Sequence, residues 1–317
     1  MKILLTCPPM LGFIEQFAPL MRKRGLDFDA PSLTQAMPER ELEKCIGDYD
    51  GWIIGDDPAT RAVFQAGVRG NLKAAVKWGV GIDNVDMAAA RELGIPIANT
   101  PQMFGDEVAD VALGYLIGLA RDLFVIDRSV RDGGWDKRRG ISLSGKCAAL
   151  VGFGDIGRAL ARRLVAIGMK VIAYDPNFVP QLGLEAIESA VWPDRLEEAD
   201  ALLFTCALNE KNHHMLGPAE LARVNPGLRV VNVSRGGLIN ESALISALEQ
   251  ERVHSVALDV FETEPLPERS HLRAFGDRVV FGAHNASNTE DAVIRASYRA
   301  LDLLCGFLGI PVSDTSP

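Results

Sequence analysis

Three residues late in the chain, Arg235, Glu264 and His284, carry the side chains whose types and settings suit chemistry best. Arg235 sits in Val231-Asn232-Val233-Ser234-Arg235-Gly236-Gly237, at the end of an apolar run. A guanidinium there offers a bidentate fork to a carboxylate and keeps its charge at any working pH. His284, in Phe281-Gly282-Ala283-His284-Asn285, is the side chain able to give up and regain a proton near neutrality. Glu264 closes Leu258-Asp259-Val260-Phe261-Glu262-Thr263-Glu264 and supplies a carboxylate to orient an imidazole and favour its protonated form. A cation for a substrate carboxylate plus an acid/base for a carbonyl oxygen points to hydride transfer at a 2-hydroxy or 2-keto acid. The other histidines (His213, His214, His254, His271) lack such a setting, and the rings of the adjacent pair His213-His214 are expected to diverge. With no further His or Cys nearby, no metal site is expected.

Hydride transfer needs a carrier, and upstream lies Gly152-Phe153-Gly154-Asp155-Ile156-Gly157, between an apolar strand and the helix Arg158–Ile167. Gly152 permits the tight turn, Gly154 lets the backbone approach a pyrophosphate, and Gly157 lets helix and strand pack closely. The phosphates then face the amides and positive dipole end of the helix, reached through Asp155 and Ile156. Asp175 ends the next apolar run, where a carboxylate accepts both ribose hydroxyls and repels a 2′-phosphate. No Arg or Lys follows closely to neutralise it, so NAD is expected rather than NADP.

The elements that must hold these residues alternate along the chain. Apolar runs at Ile3–Cys7, Trp52–Gly55, Leu72–Trp78 and Ile95–Asn99 are separated by helical patterns at 11–24, 38–46 and 58–66. Pro101 marks a crossing between domains. A long helix is predicted over 106–123, with Val108, Val111, Ala112, Tyr115, Leu116 and Leu119 on one face for core or subunit packing. After a Gly-rich, basic loop at 132–146 come six strand patterns: Ala148–Gly152, Lys170–Asp175, Ala201–Thr205, Val230–Val233, Ser255–Leu258 and Val279–Phe281. A final helix over 290–308 returns to the first domain. The expected fold is α/β: two parallel-sheet domains, Rossmann-like and flavodoxin-like, with 1–100 plus 288–317 binding substrate and 101–287 binding NAD.

Composition narrows the class. The chain has 317 residues and is 48% hydrophobic, enough for two cores. A net charge of −9 argues against a nucleic-acid surface, so an anionic substrate must be met by local positive charge. Five scattered Cys without CxxC favour a reducing compartment, and no apolar run approaches a span of about 30 Å. A cytoplasmic protein with neither membrane nor nucleic-acid partners is expected.

The chain resembles the D-isomer-specific 2-hydroxyacid dehydrogenases, within them the phosphoglycerate dehydrogenase-like members, over nearly its whole length. Beyond the motifs above, the likeness takes in Gly81-Ile82-Asp83-Asn84-Val85-Asp86, Asn99-Thr100-Pro101, Leu143-Ser144-Gly145-Lys146 and Gly168-Met169. The resemblance implies that Arg235 binds and polarises the substrate and that Glu264 supports His284 as acid/base. It implies that Asp259 holds the nicotinamide carboxamide, that Cys206-Ala207, Val233 and Val108 line the cofactor, and that Lys77, Trp78, Gly79 and Val80 meet the substrate. A cleft between domains, closure by hinge motion and a homodimer built on the 106–123 helix are implied too. Departures are Ala283 where Pro is usual, Asn285 after the His, Asn240 for Asp after the Arg-Gly loop, Ala207-Leu208 for Pro-Leu, and Trp78 for a small residue. Asn240 still suits a helix cap. The absence of a regulatory extension argues against serine feedback.

A phosphorylated acid, 3-phosphoglycerate, is the first substrate expectation, since Lys77 and the cluster Lys137-Arg138-Arg139 could meet a phosphate; a solvated loop explains the cluster equally well. Glyoxylate or hydroxypyruvate reduction is the rival, with Trp78 and Met103 as pocket walls. Formate oxidation is disfavoured by the acid/base pair. From another class, the scaffold also serves as an NAD-sensing corepressor-type protein, which predicts docking segments beyond the short tail Val312–Pro317.

Overall fold

Both sheets of the computed structural model, which describes residues 1–312, are parallel throughout, as strands separated by amphipathic helices require. The chain forms two units, Met1–Met103 with Asn288–Pro317, and Phe104–Ser287. From residue 313 on, the tail named above lies outside the described residues.

The first unit runs β1 (Lys2–Leu5), α1 (Pro8–Leu11), α2 (Ile14–Lys23), β2 (Asp27–Asp29), α3 (Glu39–Cys45), β3 (Gly51–Ile54), α4 (Arg61–Arg69), β4 (Ala74–Lys77), α5 (Met87–Glu92) and β5 (Ile97–Asn99). Its sheet order, β2-β1-β3-β4-β5, is the flavodoxin-like one. Strand β2 carries no strand pattern in its residues: Asp-Phe-Asp has one apolar residue and sits at the sheet edge. Trp52 and Ile54 share a buried cluster with Leu42, Phe64 and Ala89. Full burial of each such apolar side chain stabilises by roughly 1.5–3 kcal/mol. The Gly81–Asp86 motif proves to be a tether. Asn84 Nδ2 donates to the carbonyls of Gly55 (3.1 Å) and Asp57 (2.7 Å), and Asp86 caps α5 by accepting from the Ala89 amide at 2.8 Å.

The second unit runs α6 (Gly105–Arg121), α7 (Leu123–Arg131), β6 (Cys147–Val151), α8 (Asp155–Ala166), β7 (Lys170–Tyr174), β8 (Glu188–Ser189), β9 (Ala201–Phe204), α9 (Pro218–Arg223), β10 (Leu228–Asn232), α10 (Glu241–Glu249), β11 (Val253–Leu258) and β12 (Val279–Phe281). Helix α11 (Glu290–Phe307) then joins the first unit. The sheet has seven strands, not six, because the two-residue β8 adds an edge beside β7. Its order, β12-β11-β10-β9-β6-β7-β8, reverses direction between β6 and β9, the switch point at which open sheets of this kind bind nucleotides. The predicted long helix stops at Arg121, where Asp122 turns left-handed (φ 53°) and α7 begins. Helix α8 packs along α6, and Arg163 ties them through Asp106 (3.0 Å) and Asp110 (2.7 Å).

Removing the α5 cap by Asp86→Ala should lower stability by about 1 kcal/mol in urea unfolding. An unchanged midpoint would show that the motif's last residue does not hold the helix.

Candidate active site and cofactor cradle

Strand β6 delivers the chain to Gly152, whose φ of +95° suits glycine, and a Cβ there would stand 2.7 Å from the Cys206 amide nitrogen. Gly154 caps α8, and a Cβ built on it meets no protein atom within 4 Å, so the backbone borders open space at the helix's positive end. Asp155 and Ile156 form the first turn of α8, and Gly157 packs against the carbonyl of Gly152. Asp175, just past β7, accepts from the Phe153 amide (2.6 Å) through one oxygen and from the Asn177 amide (2.8 Å) through the other. A carboxylate has about four lone-pair positions, which leaves capacity for ribose hydroxyls. Phe178 packs on Phe153 beside it, with ring centroids 4.8 Å apart. Cys206 follows β9, and burial pushes its thiol up to about 12, so it is inert lining rather than a nucleophile. Val233 and Val108 are buried, the latter on α6. These residues fit a dinucleotide.

Arg235, Asp259 and His284 stand just past the carboxyl ends of β10, β11 and β12, three neighbouring strands. Asn232, buried at the end of β10, accepts from the Ser234 amide (3.0 Å) and donates to the Arg235 carbonyl (2.8 Å), closing the turn that presents the guanidinium. The Glu264 carboxylate accepts from the Phe261 amide at 2.9 Å through Oε1 and meets His284 Nδ1 at 2.7 Å through Oε2. The sequence-predicted pair is thus formed. Asp259, only 2% exposed, accepts from the Ala286 amide (2.9 Å) and the Tyr115 hydroxyl (3.4 Å), while its carbonyl takes the His284 amide (2.7 Å). Asn232 and Tyr115 join the site unannounced by any motif, the one signal being that a buried Asn closing a strand is a polar residue in need of partners.

In the first unit the expected substrate residues need correction. Lys77 is 3% exposed, its ammonium donating to the Gly55 carbonyl (2.5 Å) and pairing with Asp56 (3.2 Å). As the last residue of β4 it is engaged within the unit rather than extended as a free cation toward a phosphate. The Trp78 indole is 6% exposed and donates to Ser297 on α11 at 3.0 Å, so it belongs to the core rather than to a pocket wall. The Gly79 amide is taken by Thr100 at 2.8 Å, and Val80 is exposed. In the basic 137–139 cluster, Arg138 is paired with Asp277 at 2.9 Å.

The remaining histidines hold a second correction. The rings of His213 and His214 stack, with centroids 3.8 Å apart, because His214 is left-handed (φ 53°) and folds back onto its neighbour. His214 also has a carboxylate partner, Glu262, at 2.6 Å. Among the described residues, no group of three or more His, Cys, Asp or Glu gathers as metal ligands would. No described helix is long and apolar enough to cross a membrane.

A nucleotide cradle at the switch point, with a cation and an imidazole–carboxylate pair on neighbouring strand ends, defines an oxidoreductase site of the dinucleotide-dependent class. The family model for the D-isomer specific 2-hydroxyacid dehydrogenase NAD binding domain matches residues 113–286. Hydroxypyruvate reductase of Thermotoga maritima is 32% identical over 92% of this chain and 94% of its own length. D-3-phosphoglycerate dehydrogenase of Methanocaldococcus jannaschii is 33% identical over 81% of this chain, which spans about half (49%) of that protein. The crystal structure of a glyoxylate reductase from Paecilomyes thermophila superposes with a TM-score of 0.83 at 28% identity, covering 99% of this chain and 97% of that one. The chain belongs to the D-isomer-specific 2-hydroxyacid dehydrogenase family, NAD-dependent oxidoreductases.

His284→Ala should lower kcat by roughly 10²–10⁴-fold, the usual worth of a general acid, with NADH affinity by fluorescence titration unchanged. Activity equal to wild type would remove the imidazole from the reaction. Asp175→Ala should shift preference toward NADP; an unaltered ratio of kcat/KM for the two cofactors would refute the ribose anchor.

Proposed function

We propose that the protein reduces a small unphosphorylated 2-keto acid, of the hydroxypyruvate or glyoxylate kind, to its D-2-hydroxy acid. Bound NADH supplies the hydride. Arg235 takes the substrate carboxylate in a bidentate fork and draws electron density from the carbonyl. Glu264 holds His284 at Nδ1, and the imidazole so oriented carries the proton to the nascent alkoxide. One proton and one hydride are consumed per turnover, and the reverse reaction returns both. Asp259 meets the nicotinamide carboxamide, and Met1–Met103 with Asn288–Pro317 is the substrate-binding unit. On the same reading the chain works as a homodimer through α6.

The observation that carries the choice of substrate is the internal neutralisation of Lys77. A phosphorylated acid needs a second cation, and the ammonium expected to provide it is bound to Asp56 and Gly55. Restoring that cation to the substrate would mean drawing a buried ammonium away from the Gly55 carbonyl and the half-exposed Asp56 carboxylate that now satisfy it. Relatives of similar identity carry both names, hydroxypyruvate reductase and D-3-phosphoglycerate dehydrogenase, so the choice rests on Lys77.

NADH oxidation followed against hydroxypyruvate, glyoxylate, pyruvate and phosphohydroxypyruvate tests this. The unphosphorylated two- and three-carbon acids should exceed phosphohydroxypyruvate by about tenfold or more in kcat/KM. The opposite ranking would overturn the substrate assignment. Silence across the panel with NADH bound would favour an NAD-sensing protein.

A further inference from the structure

His214 stands where two turns of the active site meet, and each polar atom of its ring has a partner. Its backbone amide donates to the Gly237 carbonyl at 2.7 Å, which joins it to the turn that follows Arg235. Nδ1 lies 3.4 Å from Asn240 Nδ2, and Nε2 lies 2.6 Å from Glu262 Oε1. The Asn240 amide is not free to flip. Its Oδ1 caps α10 by accepting from the Ala243 amide at 2.9 Å, which turns Nδ2 toward the ring. Nδ1 is therefore the acceptor and Nε2–H the donor to Glu262, a tautomer assigned from the network.

The carboxylate at the other end is bound into the segment that carries Glu264. Glu262 and Glu241 exchange reciprocal bonds: the Glu262 amide donates to Glu241 Oε1 (2.7 Å) and the Glu241 amide to Glu262 Oε1 (3.2 Å). The Phe261–Glu262 peptide lies flush against Gly236, with no room for a Cβ. Phe261 then donates to Glu264, which meets His284. A continuous set of contacts therefore runs from the Arg235 turn through His214 and Glu262 to the Glu264–His284 pair. Its local charge is delicate: burial first, then the charges of Glu262 and Glu264, push the Glu241 carboxyl up.

We propose that His214 is a positioning residue of the reaction, an imidazole brace that locks the Arg235 turn to the Glu262–Glu264 turn and so fixes Glu264 against His284. The inference rests on the acid/base reading of that pair. Without the Nε2–H donor, the Glu262 carboxylate loses a partner beside two other carboxylates, and the segment that places Glu264 shifts. Misplacement of catalytic groups by about 1 Å costs up to roughly 10²-fold.

The test compares His214→Ala, His214→Gln and the double variant His214→Ala/Glu262→Gln with wild type. All replace residue 214 at the same left-handed backbone position, so backbone strain does not separate the alanine and glutamine variants. Three quantities are read: kcat, NADH affinity, and the downfield proton resonance of the His284 Nδ1–H bonded to Glu264. His214→Ala should lower kcat about tenfold and broaden that resonance at unchanged NADH affinity, whereas His214→Gln, which returns an N–H to Glu262, should stay within about threefold of wild type. Neutralising Glu262 in the double variant should recover much of the loss. Equal losses in the alanine and glutamine variants, a sharp resonance in His214→Ala, or a parallel loss of NADH affinity would each overturn the brace. If wild type reduces no keto acid, the proposed activity fails, while the resonance still decides the brace.

Discussion

Asp259 is the residue on which the geometry of the site depends. Its amide donates to the Asn232 carbonyl, so β11 stays in register with β10 one residue beyond the ladder. Its carbonyl takes the His284 amide and its carboxylate takes the Ala286 amide, bracketing the imidazole from both sides. His284 is held there in a left-handed conformation (φ 52°), uncommon for a residue with a side chain and stable only where its surroundings over-determine it. Asn232, on the neighbouring strand, closes the Arg235 turn in the same manner. Two buried polar side chains at adjacent strand ends therefore aim a cation and an imidazole from a rigid sheet edge. Such placement on a scaffold, rather than on free loops, is what a reaction sensitive to fractions of an ångström requires.

Much of this was legible in the residues because the strands are apolar on both faces and the turns carry their own chemistry. The six runs from Ala148 to Phe281 became strands, and Arg235, Asp259 and His284 fell just beyond three of them. Gly152 and Asp175 could be read for the same reason: a positive-φ turn and a strand-end carboxylate leave a local signature. Elements with little apolar content escaped, β2 and β8 among them, as did the break at Asp122, where one left-handed residue divides what reads as a single helical run.

The readings that failed were those requiring a side chain's direction. A lysine ending a strand looks available on paper, but the pleat sends Lys77 inward to Gly55 and Asp56, and the next residue, Trp78, goes to α11. Likewise, adjacent histidines diverge in any regular backbone, and only the left-handed φ of His214 brings the rings together. Direction along a strand alternates predictably once the register is known, whereas at strand ends it depends on dihedrals that residue types do not announce.

Lys77 also shows how an acidic protein handles an anionic substrate. With a net charge of −9, the long-range field repels carboxylates, so recognition has to rest on short, directed contacts. Burying the Lys77 ammonium against Gly55 and Asp56 removes one cation from that task, and on the function proposed above recognition falls to the guanidinium of Arg235. A fork that matches one carboxylate suits a substrate bearing one. On that proposal a phosphate would add two charges while the Lys77 ammonium is already paired, and an anion held out of water without a partner is among the costliest arrangements a protein can hold. Selectivity on this account comes less from any contact with the substrate's far end than from a cation that the fold has already spent on itself.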